Sequence, residues 1–150
     1  MRFHQPLMSV LMTALCSQVN AQIPYGSCFN EAAARYGIDK RMLVAIAKTE
    51  SGLRAGSIGP KNANGTYDIG LMQINSAWLP TLSKYGITES NLKNACTNIH
   101  VGAWIFAQNI QAHGPTWKAV GAYNARTPSK QAAYANKVNK NYALVGALVQ

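Results

Sequence analysis

Apolar residues recur at helical spacing along most of this chain. Between Lys40 and Ser51, the positions Leu43, Ile46, Ala47 and Glu50 share one face, and Asp39 and Gly52 are suited to start and end that helix. A second stripe, Ile99, Ala103, Phe106 and Ile110, runs through Ala95 to Ala112, which reads as the longest helix and as central packing, with Trp104 and His100 on or beside it as core or rim residues. Shorter helices are expected over Cys28 to Tyr36, closed by Gly37, over about Asn75 to Tyr85 with a bend or start at Pro80, and over a turn capped by Thr88 and reaching Leu92. After the Gly114-Pro115 break, Thr116 to Tyr123 and Ser129 to about Tyr142 read as helices, followed by a small apolar tail. The pattern lapses between Leu53 and Thr66, where Gly56, Gly59, Pro60, Asn62, Asn64 and Gly65 favour turns, and Tyr67 to Leu71 reads as a small hairpin strand. The pattern predicts a mainly α domain with a minor β element.

One position breaks the apolar face of the first strong helix. Glu50 continues its buried stripe, so its carboxylate is partly desolvated and stands near the negative end of the helix dipole. Both effects disfavour the charged form and raise the pKa. Such a group can donate a proton near neutral pH, as cleavage of a glycosidic bond requires. The alternative is a helix-end Glu in a surface ion pair. A second carboxylate, Asp68, opens the tight segment Gly70-Leu71-Met72-Gln73-Ile74-Asn75. Two acidic residues flanking a Gly/Asn-rich loop have the layout of a glycosidase cleft.

The start of the chain reads as an export signal, from which a site outside the cytoplasm is expected. Arg2, the apolar run Leu7 to Cys16 and Val19-Asn20-Ala21 read as the charged region, core and cleavage site of a signal peptide over residues 1–21, leaving 22–150 as one domain. The apolar run is well below the ~20 residues of a membrane anchor, so no stable anchor is expected after cleavage and the product is periplasmic or secreted. Cys16 leaves with the signal; Cys28 and Cys96 remain as an even pair in an exported protein and are expected to form a disulfide, two buried thiols being the alternative. Neither cysteine has a metal-spaced partner, and His100 and His113 are 13 apart, so no metal site is read. No cofactor is expected.

Without Arg2 the domain keeps 13 Lys and Arg against five Asp and Glu, a formal charge of +8. These cations are scattered from Arg35 to Lys140, without a basic cluster interleaved with aromatics, which argues against nucleic acid. An anionic polymer such as peptidoglycan, with its lactyl and stem-peptide carboxylates, fits the charge better; a merely soluble basic surface is the alternative.

Glu50-Ser51, Gly70-Leu71-Met72-Gln73-Ile74-Asn75 and Ala122-Tyr123-Asn124 together resemble the three motifs of the soluble lytic transglycosylases, in order and at matching separations over about Cys28 to Tyr142. The resemblance is to the small members that accompany type III and IV secretion, conjugation and pilus machines. It implies a lysozyme-like fold, a helical domain with a β-hairpin beside the cleft, and cleavage of the β-1,4 bond between N-acetylmuramic acid and N-acetylglucosamine with 1,6-anhydro product. It further implies Glu50 as acid and base and Ser51 near that carboxylate or ending the helix. Gln73 and Asn75 would offer amides to sugar groups, Met72 an apolar patch, Tyr123 a hydroxyl orienting the acid, and Asn124 a cleft wall. Met72 and Ile74 in the core, with the amides capping turns, is the structural alternative. Glycan strands, and components of such a machine, are the implied partners of a monomer. Arg126 departs from the motif, standing where a glycine commonly follows, which questions the turn there. The run Asn64 to Ser76, with Asp68 18 positions beyond Glu50, also resembles animal-type lysozymes. A muramidase using both carboxylates is therefore the second reading, and a non-catalytic peptidoglycan-binding assembly protein the third.

Overall fold

The structure is a computed structural model describing residues 22–148, so the signal-peptide reading of residues 1–21 lies outside the described residues. Among the described residues, seven α-helices and one small hairpin follow each other as α1 (Gly26–Tyr36), α2 (Lys40–Ser51), β1 (Asp68–Ile69), β2 (Ile74–Asn75), α3 (Leu79–Ser83), α4 (Glu89–Leu92), α5 (Ala95–His113), α6 (Trp117–Asn124) and α7 (Pro128–Leu148). The mainly helical architecture with a small β-hairpin expected from the sequence is the one observed.

Helices α2, α4, α5 and α6 start where short polar side chains accept the free amides of a first turn. Asp39 accepts Arg41 N–H at 2.8 Å, Asn94 accepts Thr97 N–H at 3.1 Å and Thr116 accepts Ala119 N–H at 3.4 Å. Thr88 and Asn91 close a reciprocal capping box on α4. Gly37 and Gly52 end α1 and α2 in left-handed conformation, at φ 64° and 65°.

Helix α5 is the centre of the core. Ile99 and Ala103 are wholly buried and Phe106 nearly so, while α1, α2 and α6 pack against it. The Cys28–Cys96 disulfide ties α1 to the first turn of α5. Closing a loop of 68 residues is worth roughly 4 kcal/mol on the chain-entropy account. Helix α7 lies across α2 and α6, buries Tyr134, Ala135, Val138 and Val145, and donates from Asn141 Nδ2 to Thr49 Oγ1 at 2.9 Å.

Two expectations need correction. The longest helix is α7, with 21 residues against 19 in α5. The apolar tail after Tyr142 continues it, because Val145 finds a buried seat and no proline interrupts the run. The helix expected from Asn75 begins later: Ile74–Asn75 pairs as β2, a 3₁₀ turn follows at Ser76–Trp78, and α3 starts at Leu79. Asn75 is itself the cap, accepting Ala77 N–H at 3.0 Å.

The hairpin pairs Asp68 with Asn75 and Ile69 with Ile74 in antiparallel register, and Ile58 bridges to the free edge at Ile69. Its loop is pressed onto α5. A side chain at Gly102 would meet Met72 at 2.8 Å, so only glycine permits that approach.

Candidate active site

An open groove of about 1010 Å³ runs between the hairpin, the end of α2 and the α5–α6 side of the molecule, lined among others by Glu50, Asp68, Gln73, Asn75, Tyr123 and Asn124. The sequence-derived candidates are thus brought together from residues 50 to 124. Ser51 and Met72 are the exceptions.

Glu50 occupies the last turn of α2 because the apolar stripe of that helix carries it inward. Its pKa is pushed up from 4.5 to about 7, above all by burial. The Tyr134 hydroxyl, donating to Oε1 at 2.5 Å, opposes the rise by stabilising the charged form; the negative charge of Asp68 adds to it, and Lys137 opposes it. Burial wins, so the carboxyl is close to half protonated at neutral pH. A group in that state can give a proton in one step and take one in the next.

Asp68 enters the groove from β1, held by Asn75 Nδ2 donating to its Oδ1 at 2.8 Å. Gln73 adopts a positive φ of 51°, which turns the loop so that Met72 points inward while Gln73 lines the groove. Its Nε2 donates to the Gly70 and Ser57 carbonyls at 2.8 and 3.3 Å. Behind the loop stands Asn98 of α5, wholly buried. It donates from Nδ2 to the carbonyls of Ile69 and Leu92 at 2.9 and 2.8 Å and accepts Met72 N–H on Oδ1 at 2.7 Å. Gly70, at φ 78°, leaves the space this amide fills.

This arrangement has counterparts in known proteins. Residues 27–145 match the transglycosylase SLT domain. The chain belongs to that family of lytic transglycosylases. Over 123 residues it is 40% identical to invasion protein IagB of Salmonella typhimurium, covering 79% of this chain and 76% of the relative. It is 35% identical to protein IpgF of Shigella sonnei, with 83% and 87% covered. The X-ray structure of an inactive glutamate-to-glutamine mutant of lytic transglycosylase Slt from Pseudomonas aeruginosa superposes with a TM-score of 0.66 at 20% identity. That likeness covers 83% of this chain and 24% of the solved one, so this chain corresponds to about a quarter of Slt.

Two motif residues of this SLT domain stand elsewhere than the resemblance implied, while Ser51 takes the helix-ending alternative. Ser51, 3% exposed, is the last residue of α2; its hydroxyl donates to Leu71 O at 2.7 Å and accepts Arg54 N–H at 3.0 Å, tying the end of α2 to the hairpin loop. Met72 is fully buried against Gly102 and offers no surface to a sugar. Tyr123 borders the groove but donates to the Met72 carbonyl at 2.9 Å, so the hydroxyl on Glu50 is that of Tyr134 instead. Burial beside Glu50 and Asp68 keeps both phenols protonated, since each carries a pKa raised well above its ordinary range.

The sequence reading missed Tyr134 and Asn98. Tyr134 shares the inward face of α7 with Val138 and Val145, at spacings of four and seven, a signal that a stripe count over α7 would have found. Asn98 is a polar residue beside Ala95 and Ile99 on the buried side of α5, and a polar residue in such a place demands partners. Trp78 also borders the groove, its ring edge against Trp104 at 5.4 Å, whereas Trp117 lies outside it.

Proposed function

We propose that this SLT domain cuts peptidoglycan between N-acetylmuramic acid and N-acetylglucosamine without using water. The observation that carries the reading is the match of residues 27–145 to the transglycosylase SLT domain, with Glu50, a buried carboxyl of raised pKa, on the wall of an open groove.

Protonated Glu50 gives its proton to the glycosidic oxygen as the bond from that oxygen to C1 of the muramoyl residue breaks. The N-acetylglucosamine end leaves as a free 4-hydroxyl, and positive charge develops at C1 and the ring oxygen. The resulting Glu50 carboxylate then takes the proton of the muramoyl 6-hydroxyl, whose oxygen closes on C1. The 1,6-anhydro ring forms, and Glu50 regains its proton. Through this cycle the Tyr134 hydroxyl anchors Oε1 and leaves the other oxygen to the substrate. Asp68, fixed by Asn75, stabilises the charge developing across the groove. Gln73, Asn75 and Asn124 line the groove where sugar hydroxyl and N-acetyl groups would lie, with the N–H groups of Gln73 and Asn75 already donated within the protein, and no cofactor takes part.

The domain over residues 22–150 acts outside the cytoplasm after removal of residues 1–21. Its role is to open the wall locally for a secretion, conjugation or pilus apparatus. The names of the relatives support this placement, IagB being an invasion protein of a Salmonella strain. The inactive Slt variant, altered at one glutamate, supports a glutamate-dependent reaction.

A second reading has its own observation: Asp68 faces the same groove as Glu50, as a two-carboxylate hydrolase would require. Mass spectrometry of peptidoglycan digested by the purified domain separates the two. Anhydro-muramyl ends are expected; reducing muramyl ends would make the protein a muramidase.

A further inference from the structure

Another wall of the groove carries a cation that the reaction above leaves unused. Arg126 lines the groove from the short connection between α6 and α7, where the motif resemblance would have had glycine. The connection needs no glycine: Ala125 is extended, at φ −135° and ψ 152°, and Arg126 is not among the residues of positive φ. Its backbone is held by one side chain of α7. Gln131 Nε2 donates to the carbonyls of Ala125 and Arg126 at 3.0 and 3.5 Å, and Gly121 of α6 approaches Gln131 so closely that a Cβ there would lie 2.6 Å from its carbonyl oxygen. The side chain therefore extends from a fixed point.

Among the described residues no carboxylate lies within 4.0 Å of that guanidinium, whereas Arg41 has Asp39 at 2.8 Å and Lys93 has Glu89 at 3.7 Å. Asn109 of α5 lines the same groove, and its Nδ2 has no partner among the described residues. An exposed, unmatched guanidinium on the wall of a polymer-sized groove, carried by a held stretch of backbone, is a fork for a planar anion. The anions that a peptidoglycan strand offers are carboxylates on its muramoyl units: the lactyl group of a bare strand, or those of attached stem peptides.

We propose that Arg126 binds a muramoyl-borne carboxylate and gives this enzyme a preference for charged strands. The inference rests on peptidoglycan being the substrate.

Binding tests it without turnover. Glu50→Gln and Glu50→Gln/Arg126→Ala proteins are titrated with peptide-bearing strands, amidase-stripped strands and strands whose carboxylates have been amidated. The Arg126→Ala change is expected to weaken binding to peptide-bearing strands roughly three- to tenfold, less so at high salt, with Arg126→Lys in between. A loss that persists on stripped strands assigns the lactyl carboxylate, and one that vanishes there assigns the stem peptide. An unchanged constant on charged strands, or an equal loss on amidated ones, overturns the proposal alone. Failure of the parent Glu50→Gln protein to bind any strand overturns the peptidoglycan reading and this proposal with it.

Discussion

The Tyr134 hydroxyl of α7 donates to Oε1 of Glu50 across 84 residues of sequence, joining the last helix of the chain to the end of the helix that bears the acid. This bond favours the carboxylate, while burial favours the acid, and the pKa of about 7 is where the two meet. Tyr134→Phe removes only the donor. The Glu50 pKa should then rise, so the limb on which activity falls with increasing pH moves to higher pH, and the rate at its plateau drops about tenfold as the carboxyl loses its fixed orientation. A pH–rate profile on soluble strands measures both. A profile that keeps its limb while losing rate would leave Tyr134 a packing residue.

Asp68→Asn moves the same limb the other way. The Asp68 charge raises the Glu50 pKa, so neutralising it lowers that pKa, and activity is lost at lower pH than in the parent protein. Asn keeps an oxygen for Asn75 Nδ2, so the hairpin should stay folded. If the carboxylate also stabilises the developing cation, the plateau rate falls by about 10²-fold. A limb that stays in place and an unchanged rate would together reduce Asp68 to a residue that orders the loop.

Glu50→Gln trades function for stability. In the unfolded chain the carboxyl titrates near its ordinary 4.5 and in the native protein near 7. The native state therefore binds the extra proton between those values. The stability supplied by the neutral carboxyl is complete below pH 4.5 and is lost as pH rises through 7, by about 3 kcal/mol in all. Glutamine never ionises and can still accept from Tyr134. The variant should lose at least ~10³-fold in rate, unfold at higher urea than the parent at pH 8, and show no such advantage at pH 4.5. Urea titrations at the two pH values check it, and a parent protein that is the more stable at pH 8 would contradict the desolvation of Glu50.

The parts of this molecule written in local pattern were legible before the fold. Leu43, Ile46 and Ala47 set the face on which Glu50 lies, and the glycines and asparagines of the loop announced the turn leading to Asp68. Arrangements that depend on distant chain were not. Motif matching named Met72 and Gln73 as one strip of cleft wall, but the positive φ at Gln73 sends the two side chains to opposite sides. The motif points to Tyr123 and is silent on Tyr134; which phenol reaches Glu50 is decided by how α7 crosses α2, a tertiary fact with no short sequence signature.

Asn98 provides the strictest test of how the groove is held open. Its amide joins Ile69, Met72 and Leu92 with all three bonds made and no water access, and it is the buried member of a set that also holds the loop through Ser51 on the Leu71 carbonyl and Tyr123 on the Met72 carbonyl. Asn98→Ala strands two carbonyls and one N–H in the core, a loss of roughly 2–4 kcal/mol. Asn98→Asp should be worse at pH 8, because an oxygen replaces Nδ2 against the Ile69 and Leu92 carbonyls and an ionised group is buried without a counter-charge. That aspartate would have a native pKa raised above its unfolded value. Its folded state is therefore favoured at low pH and loses ground as pH rises, so the gap between the Asp and Ala variants should narrow on going from pH 8 to pH 5. Urea midpoints for both variants at the two pH values measure this. Two variants as stable as the parent, or a gap that widens on acidification, would show that the hairpin loop is held by something other than Asn98.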